Sequence, residues 1–513
     1  MFPMRQDWLR WRANATPARL AVLFEGRSVK YAELDRLADR LASALAANQL
    51  KPGDSVATHL DSSIEAIALI HAVARVGAVL VPLNTRLTPT ERARQLSLIE
   101  PQLLVVDNET VSANGDSKPQ EIRTLADLVY HEPQCGQELQ APRPSPTQRG
   151  EMQVQSIIFT SGTTGTPKGV QLTFNNHFWS ATASAYHLGV HTNDRWLSCL
   201  PLYHVGGLAV VFRSCLYGTA IVLQRSFDLE QFQRSLRQDE VTLTSLVPTM
   251  LHRLLHSSPA TVWPQSLRMV LLGGAAAPAD LLTAAKEAAV PVAATYGLTE
   301  TASQVATALP AEVQRKPASV GRPLLFTETR IADADGNTLP HGQIGEVFVR
   351  GPQVMAAYFR NPAATDSALR GGWLYTGDMG RLDADGDLYV VQRRTDMIVS
   401  GGENIYPAEV EAALREHPAV ADVCVVGLPD AEWGQRSAAA VQLRSGDTLS
   451  PEALLAFSRT RLAGYKQPAA NLIRFVSALP QTASGKIARQ EVERQLAGWA
   501  DSQQSGIAEP SDT

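Results

Sequence analysis

The chain has 513 residues, more than one hydrophobic core usually organises, so a single small domain is excluded and two or more domains are expected. Hydrophobic residues make up 44% and charged residues 19%, a balance that can bury large cores and is typical of a soluble enzyme. The formal net charge of -5 argues against nucleic acid as the main partner.

The cysteines and the amino terminus restrict the compartment. Cys135, Cys199, Cys215 and Cys424 are scattered and contain no C-x-x-C pair, so neither a disulfide framework nor a cysteine metal cluster is expected. Residues 1–20 contain no continuous apolar segment, and no run elsewhere reaches the roughly 18 uninterrupted apolar residues of a spanning helix. We therefore expect a cytoplasmic protein with reduced thiols and no stable membrane insertion.

Apolar strand-like runs alternate with amphipathic helical stretches along the chain. Strands are predicted at 103–107, 195–200, 220–224, 269–274 and 291–297, with helices such as 229–238 and 279–288 between them. This alternation predicts an α/β fold, with a large N-terminal domain of parallel-rich sheets flanked by helices and a smaller α+β C-terminal domain. Ligands of such folds collect at the carboxyl ends of the strands.

The run IIFTSGTTGTPKG at 157–169 carries the strongest functional signal. A strand-like stretch leads into a loop of glycine, serine and threonine that ends in Pro167, Lys168 and Gly169. Glycines let backbone N–H groups converge, hydroxyls add donors and the lysine adds positive charge, so the loop suits a triphosphate. The alternative is a plain surface loop, but the preceding strand and the terminal lysine favour phosphate binding. The loop is not a Walker A motif, because Gly169 stands where serine or threonine is needed.

Three further features of the sequence concern its domain organisation: a surface loop, a domain boundary and a C-terminal tail. Residues 131–150 are rich in Pro, Gln and Gly and are predicted to form a surface connection. After DLYVVQRR at 387–394 a new pattern begins with a helix at 407–416, so the N-terminal domain is placed at 1–394 and the C-terminal domain at 395–500. The polar tail at 501–513 has no periodicity and is predicted to be disordered.

Six motifs follow one another in a fixed order. They are SGTTGTPKG at 161–169, PLYHVGG at 201–207, YGLTE at 296–300, YTGD at 375–378, RRTDMIVSGGENIYPAEVE at 393–411 and PQTASGKIAR at 480–489. Together they resemble the adenylate-forming enzymes, a family of acyl-CoA synthetases, luciferases and adenylation domains of peptide synthetases. The resemblance covers nearly the whole chain. It implies that ATP and Mg²⁺ activate a carboxylate as an acyl-adenylate, which a thiol such as coenzyme A then attacks.

The resemblance implies a nucleotide site drawn from several motifs. The predicted ATP and AMP contacts are Thr160, Ser161, Gly162, Thr163, Thr164, Gly165, Thr166, Lys168, Gly274, Ala275, Tyr296, Gly297, Thr299, Asp378 and Arg393. Tyr296 would pack near adenine, and Asp378 and Arg393 would form the ribose pair, with Arg394 as the alternative to Arg393. Glu300 would hold Mg²⁺, which prefers hard oxygen ligands, although a glutamate at this position can also serve only as a helix N-terminal charge.

Lys486, His204 and Thr299 are the predicted catalytic residues. By resemblance, Lys486 would contact both the carboxylate and the α-phosphate, where charge builds in the transition state. The residues alone would make Lys486 a solvated lysine in a turn, and the match to the final motif reverses that interpretation. Thr395 stands at the family's hinge, where many relatives carry Asp or Lys, and the C-terminal domain would rotate about it between the two steps.

The acyl site is predicted from the run HVGGLAVVFRSCLYG at 204–218. The resemblance places His204 at the pocket mouth, and Arg213 is the single charge on the apolar helix that follows. A guanidinium there costs free energy unless it meets an anion, so Arg213 either pairs with a protein carboxylate, extends its head to the surface, or recognises a second carboxylate on the substrate. The predicted substrate contacts are His204, Arg213, Ser245, Val247, Gly273 and Gly274.

The same run, with EVTLTSLVPTMLHRLL at 240–255 and the motif at 393–411, looks most like the o-succinylbenzoate:CoA ligases of menaquinone biosynthesis, whose substrate is an aromatic dicarboxylate. A medium-chain or aryl acyl-CoA synthetase and a carrier-loading adenylation enzyme stay open. Gly401, Gly402 and Lys466 are the predicted CoA contacts. The predicted partners are a small carboxylic acid, ATP and CoA, with no nucleic acid. The sequence does not fix the oligomeric state, and a homodimer stays open.

Overall fold

The computed structural model describes residues 7–107, 121–130, 153–160, 167–257, 260–333, 335–392, 397–480 and 487–505. They fold into two compact units. The larger unit contains the described residues before 393, with the exception of 86–95, 160, 167 and 168. The smaller unit contains these exceptions and the described residues after 396. None of the described helices is long and apolar enough to cross a lipid bilayer. The predicted connection at 131–150 lies outside the described residues.

Several helices before residue 393 begin at polar caps. Ser63 Oγ accepts the N–H of Ala66 at the start of α3, and Asp228 Oδ1 accepts the N–H of Gln231 at the start of α8, which has the predicted bounds. These helices are α1 (Trp8–Ala15), α2 (Tyr31–Ala47), α3 (Ile64–Val76), α4 (Pro89–Ile99), α5 (Leu125–Val129), α6 (Phe174–Leu188), α7 (Val205–Tyr217), α8 (Leu229–Gln238), α9 (Pro248–Leu255), α10 (Ala279–Glu287), α11 (Pro310–Arg315) and α12 (Pro362–Ala368).

The strands before residue 393 include all five that the sequence predicts. They are β1 (Leu20–Phe24), β2 (Arg27–Lys30), β3 (Ser55–His59), β4 (Val79–Pro82), β5 (Leu103–Val106), β6 (Glu121–Thr124), β7 (Val154–Thr160), β8 (Lys168–Thr173), β9 (Arg195–Ser198), β10 (Ala220–Leu223), β11 (Leu243–Leu246), β12 (Met269–Leu272), β13 (Val292–Leu298), β14 (Ser303–Ala308), β15 (Glu328–Ala332), β16 (Gly345–Arg350), β17 (Ala357–Tyr358), β18 (Leu369–Arg370), β19 (Trp373–Leu382) and β20 (Leu388–Gln392).

Two sheets of the larger unit are parallel at their centres. The described strands of the first sheet lie in the order β14-β13-β12-β11-β9-β10-β1-β2, parallel from β13 to β1 and antiparallel at both edges. The second has the order β17-β8-β7-β4-β3-β5-β6 and is parallel from β7 to β6. Strands β10, β11 and β12 are buried at every position, as parallel strands covered on both faces require. The predicted α/β class is confirmed.

A third, antiparallel sheet was not predicted. It has the order β15-β16-β19-β18, with β20 paired to β19. Between β19 and β20, Asp383, Asp385 and Asp387 form the one acidic group among the described residues that is close enough to share a cation. Lys316 Nζ already lies 2.7, 2.7 and 2.5 Å from these three carboxylates. The lysine therefore supplies the positive charge of this cluster.

The smaller unit is the predicted α+β fold. Its helices and strands are β21 (Ile398–Ser400), β22 (Glu403–Ile405), α13 (Pro407–Arg415), β23 (Val420–Asp430), β24 (Gly434–Leu443), α14 (Pro451–Ser458), β25 (Ile473–Val476) and α15 (Arg489–Ser505). The strand order is β22-β21-β24-β23, with β25 parallel to β24. The tail prediction is wrong for 501–505, because α15 continues through them and Trp499 and Ala500 pack on the sheet's apolar face. Residues 506–513 lie outside the described residues.

Candidate functional site

The predicted nucleotide and acyl residues gather at one edge of the first sheet. Strands β9, β11, β12 and β13 are parallel neighbours, so their carboxyl ends meet at that edge. At or beyond those ends lie His204, Ser245, Val247, Gly273, Gly274, Ala275, Tyr296, Gly297, Thr299 and Glu300. The sheet topology therefore brings residues of separate motifs to one place.

Strands β7 and β8 lead into and out of the phosphate loop. Thr160 is the last residue of β7 and is half-buried. Lys168 is the first residue of β8. The predicted contacts Ser161, Gly162, Thr163, Thr164, Gly165 and Thr166 lie outside the described residues. A Cβ on Gly169 would lie 2.7 Å from Ile157 Cγ2 and 3.4 Å from Phe359 Cβ, so the exit from the loop is tightly packed.

Glu300 stands in a short 3-10 turn, Thr299–Thr301, directly after β13. The hydroxyl of Tyr358 donates a hydrogen bond of 2.8 Å to Oε1 of Glu300. Within the described chain, Oε2 accepts no hydrogen bond, and the residue is half-buried. A carboxylate with one oxygen held and the other without a protein donor fits Mg²⁺, which prefers hard oxygen ligands.

The backbone around this turn adopts uncommon conformations. Ala302 has a φ of 50° and Ser303 a φ of 114°, values that L residues rarely adopt and that concentrate at functional sites. Strand β13 bulges between Tyr296 and Gly297, where a Cβ on Gly297 would lie 1.7 Å from the carbonyl oxygen of Ser303. Glycine is therefore required within YGLTE, because the two strand edges approach too closely for a side chain.

Tyr296 and Asp378 meet although they belong to different motifs. The Tyr296 hydroxyl donates a hydrogen bond of 2.7 Å to Oδ2 of Asp378, which lies in β19 and is 1% exposed. The N–H of Asp378 donates to Thr376 Oγ1 at 3.1 Å, which fixes the residue from its backbone side. The predicted adenine and ribose residues thus form one hydrogen-bonded pair. Arg393 and Arg394 lie outside the described residues.

His204 begins the helix that carries the predicted acyl site. It is the N-cap of α7, and its ring lies 4.7 Å from the ring of Tyr203. A Cβ on Gly207, in the first turn, would lie 2.3 Å from the carbonyl oxygen of Pro201. The second glycine of PLYHVGG therefore lets α7 start directly against its own incoming loop.

Helix α7 directs Arg213 into the protein interior, where it is 2% exposed. Its Nη2 donates to Ser303 Oγ at 3.2 Å, and its Cζ lies 5.8 Å from the centre of the Trp196 ring. The Trp196 Nε1–H donates to Ser245 Oγ at 3.0 Å. Two predicted substrate residues, Arg213 and Ser245, therefore share the neighbour Trp196.

Arg213 is a buried cation that has no carboxylate partner among the described residues. Its Nε has no hydrogen-bond acceptor there, and Ser303 is its one side-chain acceptor. Burial lowers the pKa of Arg213, because removing the guanidinium from water disfavours its charged form. Of the three interpretations that the sequence left open, burial removes the surface arginine, and the described residues provide no protein ion pair.

Gly401 and Gly402 form the hairpin turn between β21 and β22 in the smaller unit. Their φ angles are 60° and 84°, as the central residues of the tightest hairpin turns require. A Cβ on Gly401 would lie 2.8 Å from Cε3 of Trp433, so this turn packs against an aromatic ring. Lys486 and the predicted hinge residue Thr395 lie outside the described residues.

Lys466 is engaged in a way that argues against the predicted contact with CoA. Its Nζ donates to Glu91 Oε1 and to Glu409 Oε1, both at 2.7 Å, and its side chain is 4% exposed. Burial alone would lower the pKa of Lys466, but Glu409 and Glu91 raise it above its ordinary value. An ammonium paired with two buried carboxylates is not offered to a CoA phosphate. In this arrangement Lys466 is a structural residue of the smaller unit.

Sequence reasoning missed Tyr358, Trp196 and Ser303. Each touches a predicted residue that is remote in sequence, so no local pattern links the partners. Tyr358 does precede Asn361, whose side chain caps α12, and this Asn-Pro helix start is readable from the sequence. The hydrogen bond from Tyr358 to Glu300 is not readable, because it depends on the pairing of β17.

Family models match both units of the chain. Residues 9–359 match the AMP-binding enzyme family, and residues 409–486 match the AMP-binding enzyme C-terminal domain. The chain belongs to the AMP-binding enzyme family. The predicted membership is confirmed.

Relatives resemble the chain over nearly its full length. The 2-succinylbenzoate–CoA ligase of Geobacillus kaustophilus is 42% identical over 493 residues, 95% of this chain and 97% of the relative. A double mutant of o-succinylbenzoate CoA synthetase from Bacillus subtilis, bound with its product analogue, has a TM-score of 0.88 and 38% identity and covers 95% of this chain and 98% of that chain. The Bacillus subtilis enzyme with ATP and magnesium has a TM-score of 0.71 and 38% identity, covering 94% and 98%. The predicted similarity to o-succinylbenzoate ligases is confirmed.

Proposed function

We propose that this chain is an ATP- and Mg²⁺-dependent ligase that joins o-succinylbenzoate to coenzyme A through an acyl-adenylate, a step of menaquinone biosynthesis. Its family membership and its full-length similarity to ligases of this specificity support the reaction class. The observation that carries the choice of substrate is Arg213, a buried cation beside the strand ends with no carboxylate partner among the described residues.

The nucleotide half of the reaction uses the residues around β13 and β19. Asp378, oriented by Tyr296, would accept hydrogen bonds from the ribose hydroxyls, and Thr299 would donate to the α-phosphate. Glu300 would hold Mg²⁺, which neutralises phosphate charge when bound. Donors already aimed at the α-phosphate stabilise the charge that builds there, because no reorganisation is needed during the reaction.

The acyl half must bring a second anion to the first. Lys486 would contact both the substrate carboxylate and the α-phosphate, offsetting their repulsion while the mixed anhydride forms and pyrophosphate leaves. His204, at the start of α7, would lie at the pocket mouth. Gly401 and Gly402 would let the pantetheine arm of CoA approach the backbone, because neither residue carries a Cβ.

Arg213 would bind the benzoate carboxylate, which is not activated. A desolvated guanidinium gains most from an anion that arrives with matching geometry, and a carboxylate can bond to two of its N–H groups at once. Ser245, Val247, Gly273 and Gly274 would line the same pocket, where the two glycines leave room for the aromatic ring. Val247 lies close to Gly274, since a Cβ on Gly274 would lie 3.2 Å from Val247 Cγ1.

Replacing Lys486 with alanine tests the division of the reaction into two steps. K486A should abolish pyrophosphate release from ATP and o-succinylbenzoate, yet form the thioester when the acyl-adenylate is supplied with CoA. The matched control K286A, at an exposed lysine of α10, should retain both steps. Equal loss of both steps in K486A would refute the assigned role.

A panel of carboxylic acids assayed for AMP formation separates this function from its alternatives. The proposed ligase turns over with o-succinylbenzoate only when free CoA is present. Higher turnover with monocarboxylic aryl or medium-chain acids would identify a synthetase of other specificity, and adenylate formation without transfer to CoA would favour a carrier-loading enzyme. The cytoplasmic location and the homodimer both stay predictions.

A further inference from the structure

The short segment 355–359, here called the strap, connects the exit of the phosphate loop to Glu300. On one side it pairs with β8, where Ala356 N–H donates to Gln171 C=O at 3.0 Å and Phe359 N–H donates to Gly169 C=O at 2.7 Å. On the other side, Met355 N–H donates to the backbone C=O of Glu300 at 2.8 Å. The strap therefore holds the backbone of both motifs.

Tyr358 extends this connection to the Glu300 side chain. Its hydroxyl lies 2.8 Å from Glu300 Oε1, and the residue is 6% exposed. Its N–H donates to Thr365 Oγ1 at 3.0 Å, and Thr365 Oγ1 donates to the C=O of Asn361 at 2.8 Å. The backbone of Tyr358 is therefore held by the start of α12, and its hydroxyl contacts the Glu300 carboxylate.

We propose that Tyr358 is a positioning residue for the divalent cation, an inference that rests on the role of Glu300 in the proposed function. The hydroxyl holds Oε1, and the described residues leave Oε2 without a donor, so the carboxylate is oriented before the metal–nucleotide complex arrives. Groups that orient a metal ligand change metal affinity by about 10- to 100-fold when they are removed. A hydrogen bond to an ionised acceptor is also stronger than one between neutral groups.

Tyr296 provides an internal comparison on the same sheet edge. Its hydroxyl orients Asp378 in the way that the Tyr358 hydroxyl orients Glu300, with distances of 2.7 and 2.8 Å. Asp378 is assigned to ribose and Glu300 to the cation. Loss of the Tyr296 hydroxyl should therefore weaken nucleotide binding with or without metal, whereas loss of the Tyr358 hydroxyl should act only through the metal.

The test measures Mn²⁺ binding to the full chain in the presence of α,β-methylene-ATP, an analogue that cannot form the adenylate. In Y358F, the Mn²⁺ dissociation constant, read from the electron paramagnetic resonance of the free ion, should rise about 10-fold. Without metal, the dissociation constant of the analogue should stay within about twofold of that of the unmodified protein, because Tyr358 acts only through the metal. In a separate assay with ATP in place of the analogue, excess Mg²⁺ should restore the rate of AMP formation by Y358F.

Two variants make the result interpretable. Y31F removes another buried tyrosine hydroxyl, whose oxygen lies 2.7 Å from the carbonyl oxygens of both Ser214 and Thr219, and should leave Mn²⁺ affinity unchanged. E300Q removes the proposed ligand itself and should weaken Mn²⁺ binding at least as much as Y358F.

The outcomes separate this inference from the function on which it rests. Unchanged Mn²⁺ affinity in Y358F, with weakened affinity in E300Q, would overturn the role of Tyr358 and leave the metal role of Glu300 intact. Unchanged affinity in both variants would overturn the metal role as well. Equal weakening of analogue binding with and without metal in Y358F would also overturn the inference, because it would indicate a general disturbance of the site.

Discussion

Two buried cations, Lys466 in the smaller unit and Arg213 in the larger unit, have opposite kinds of neighbours. In the smaller unit, Lys466 is paired with Glu91 and Glu409, both at 2.7 Å. In the larger unit, Arg213 is equally buried but meets only a hydroxyl and an aromatic ring among the described residues. The pKa of Lys466 is raised by its carboxylates against the effect of burial, whereas burial lowers the pKa of Arg213.

Under the proposed function, this contrast separates a structural charge, Lys466, from a charge that binds the substrate, Arg213. A buried charge with its counter-ions in place is strongly destabilising to break, because the partners left behind stay out of water without compensation. A buried charge without a counter-ion weakens the fold, which makes it a candidate for binding a ligand of opposite charge. Replacing the two cations should therefore have opposite consequences for stability and for substrate use.

The largest effect is expected from K466M. Methionine keeps much of the side-chain length but leaves two buried carboxylates unpaired, so the smaller unit should lose about 3–5 kcal/mol of stability. Hydrogen–deuterium exchange of peptides from β23 and β24 would show the loss directly in that unit. The control R459M, at an exposed arginine of the same unit, should leave exchange unchanged. Native-like protection of β23 and β24 in K466M would remove the contrast.

R213M should act on the substrate and not on the fold. Its ligand-free melting temperature should match or exceed that of the unmodified protein, because an uncompensated buried charge has been removed. Its kcat/KM for AMP formation with o-succinylbenzoate should fall about 100-fold, close to 3 kcal/mol of lost interaction with the substrate carboxylate. R253M, at an exposed arginine of α9, is the matched control. Marked destabilisation without ligand would make Arg213 a structural residue like Lys466.

Two buried histidines next to α7 give a pH-dependent effect of intermediate size. Burial lowers the pKa of His177 to about 3 and that of His71 to about 4, and the His177 ring packs 4.7 Å from the ring of Phe212. Because the unfolded chain takes up these protons from about pH 6.5 downward and the folded protein does not, stability is full above that pH and falls as the pH drops.

The expected loss between pH 7.5 and 5.5 is about 1.4 kcal/mol for His177 alone. Urea unfolding at a series of pH values would show a shallower dependence for H177Q. The exposed-site control H341Q should reproduce the profile of the unmodified chain. An identical slope in H177Q would mean that His177 does not stay neutral in the folded protein.

The smallest effect is expected from E409Q. Burial raises the pKa of Glu409 despite the attraction of Lys466, and its Oε2 has no hydrogen-bond partner among the described residues. Neutralising this carboxylate leaves the pair of Lys466 with Glu91 intact, so β23 and β24 should lose no more than about 1 kcal/mol of protection by hydrogen exchange. A loss as large as that of K466M would show that the lysine needs both carboxylates.

Local patterns predicted the parts of the fold that local forces determine. The bounds of α8 follow from its amphipathic period and the Asp228 cap, and the strand at 291–297 was predicted because a buried parallel strand is a continuous apolar run. The gathering of motifs at the strand ends followed from the α/β class. The antiparallel sheet escaped prediction because its half-exposed strands, such as β15, have no such continuous apolar run.

The contacts that orient the site could not be predicted in this way. Tyr358 and Glu300 are 58 positions apart, and Lys466 and Glu91 are 375 apart, so each pair depends on how distant elements pack. The sequence identified Arg213 and Lys466 alike as candidate ligands. Only the neighbours supplied by the fold separated Lys466, which has two carboxylate partners, from Arg213, which has none among the described residues.

The most direct test of the central claim is a cycle of two enzymes and two acids. AMP formation is measured for the unmodified chain and R213M, each with o-succinylbenzoate and with 4-oxo-4-phenylbutanoate, which lacks the benzoate carboxylate. If Arg213 binds that carboxylate, removing either partner lowers kcat/KM about 100-fold, and removing both lowers it little further. If the two losses in kcat/KM were independent, so that R213M with 4-oxo-4-phenylbutanoate lost about the product of the two single losses, the account would be contradicted.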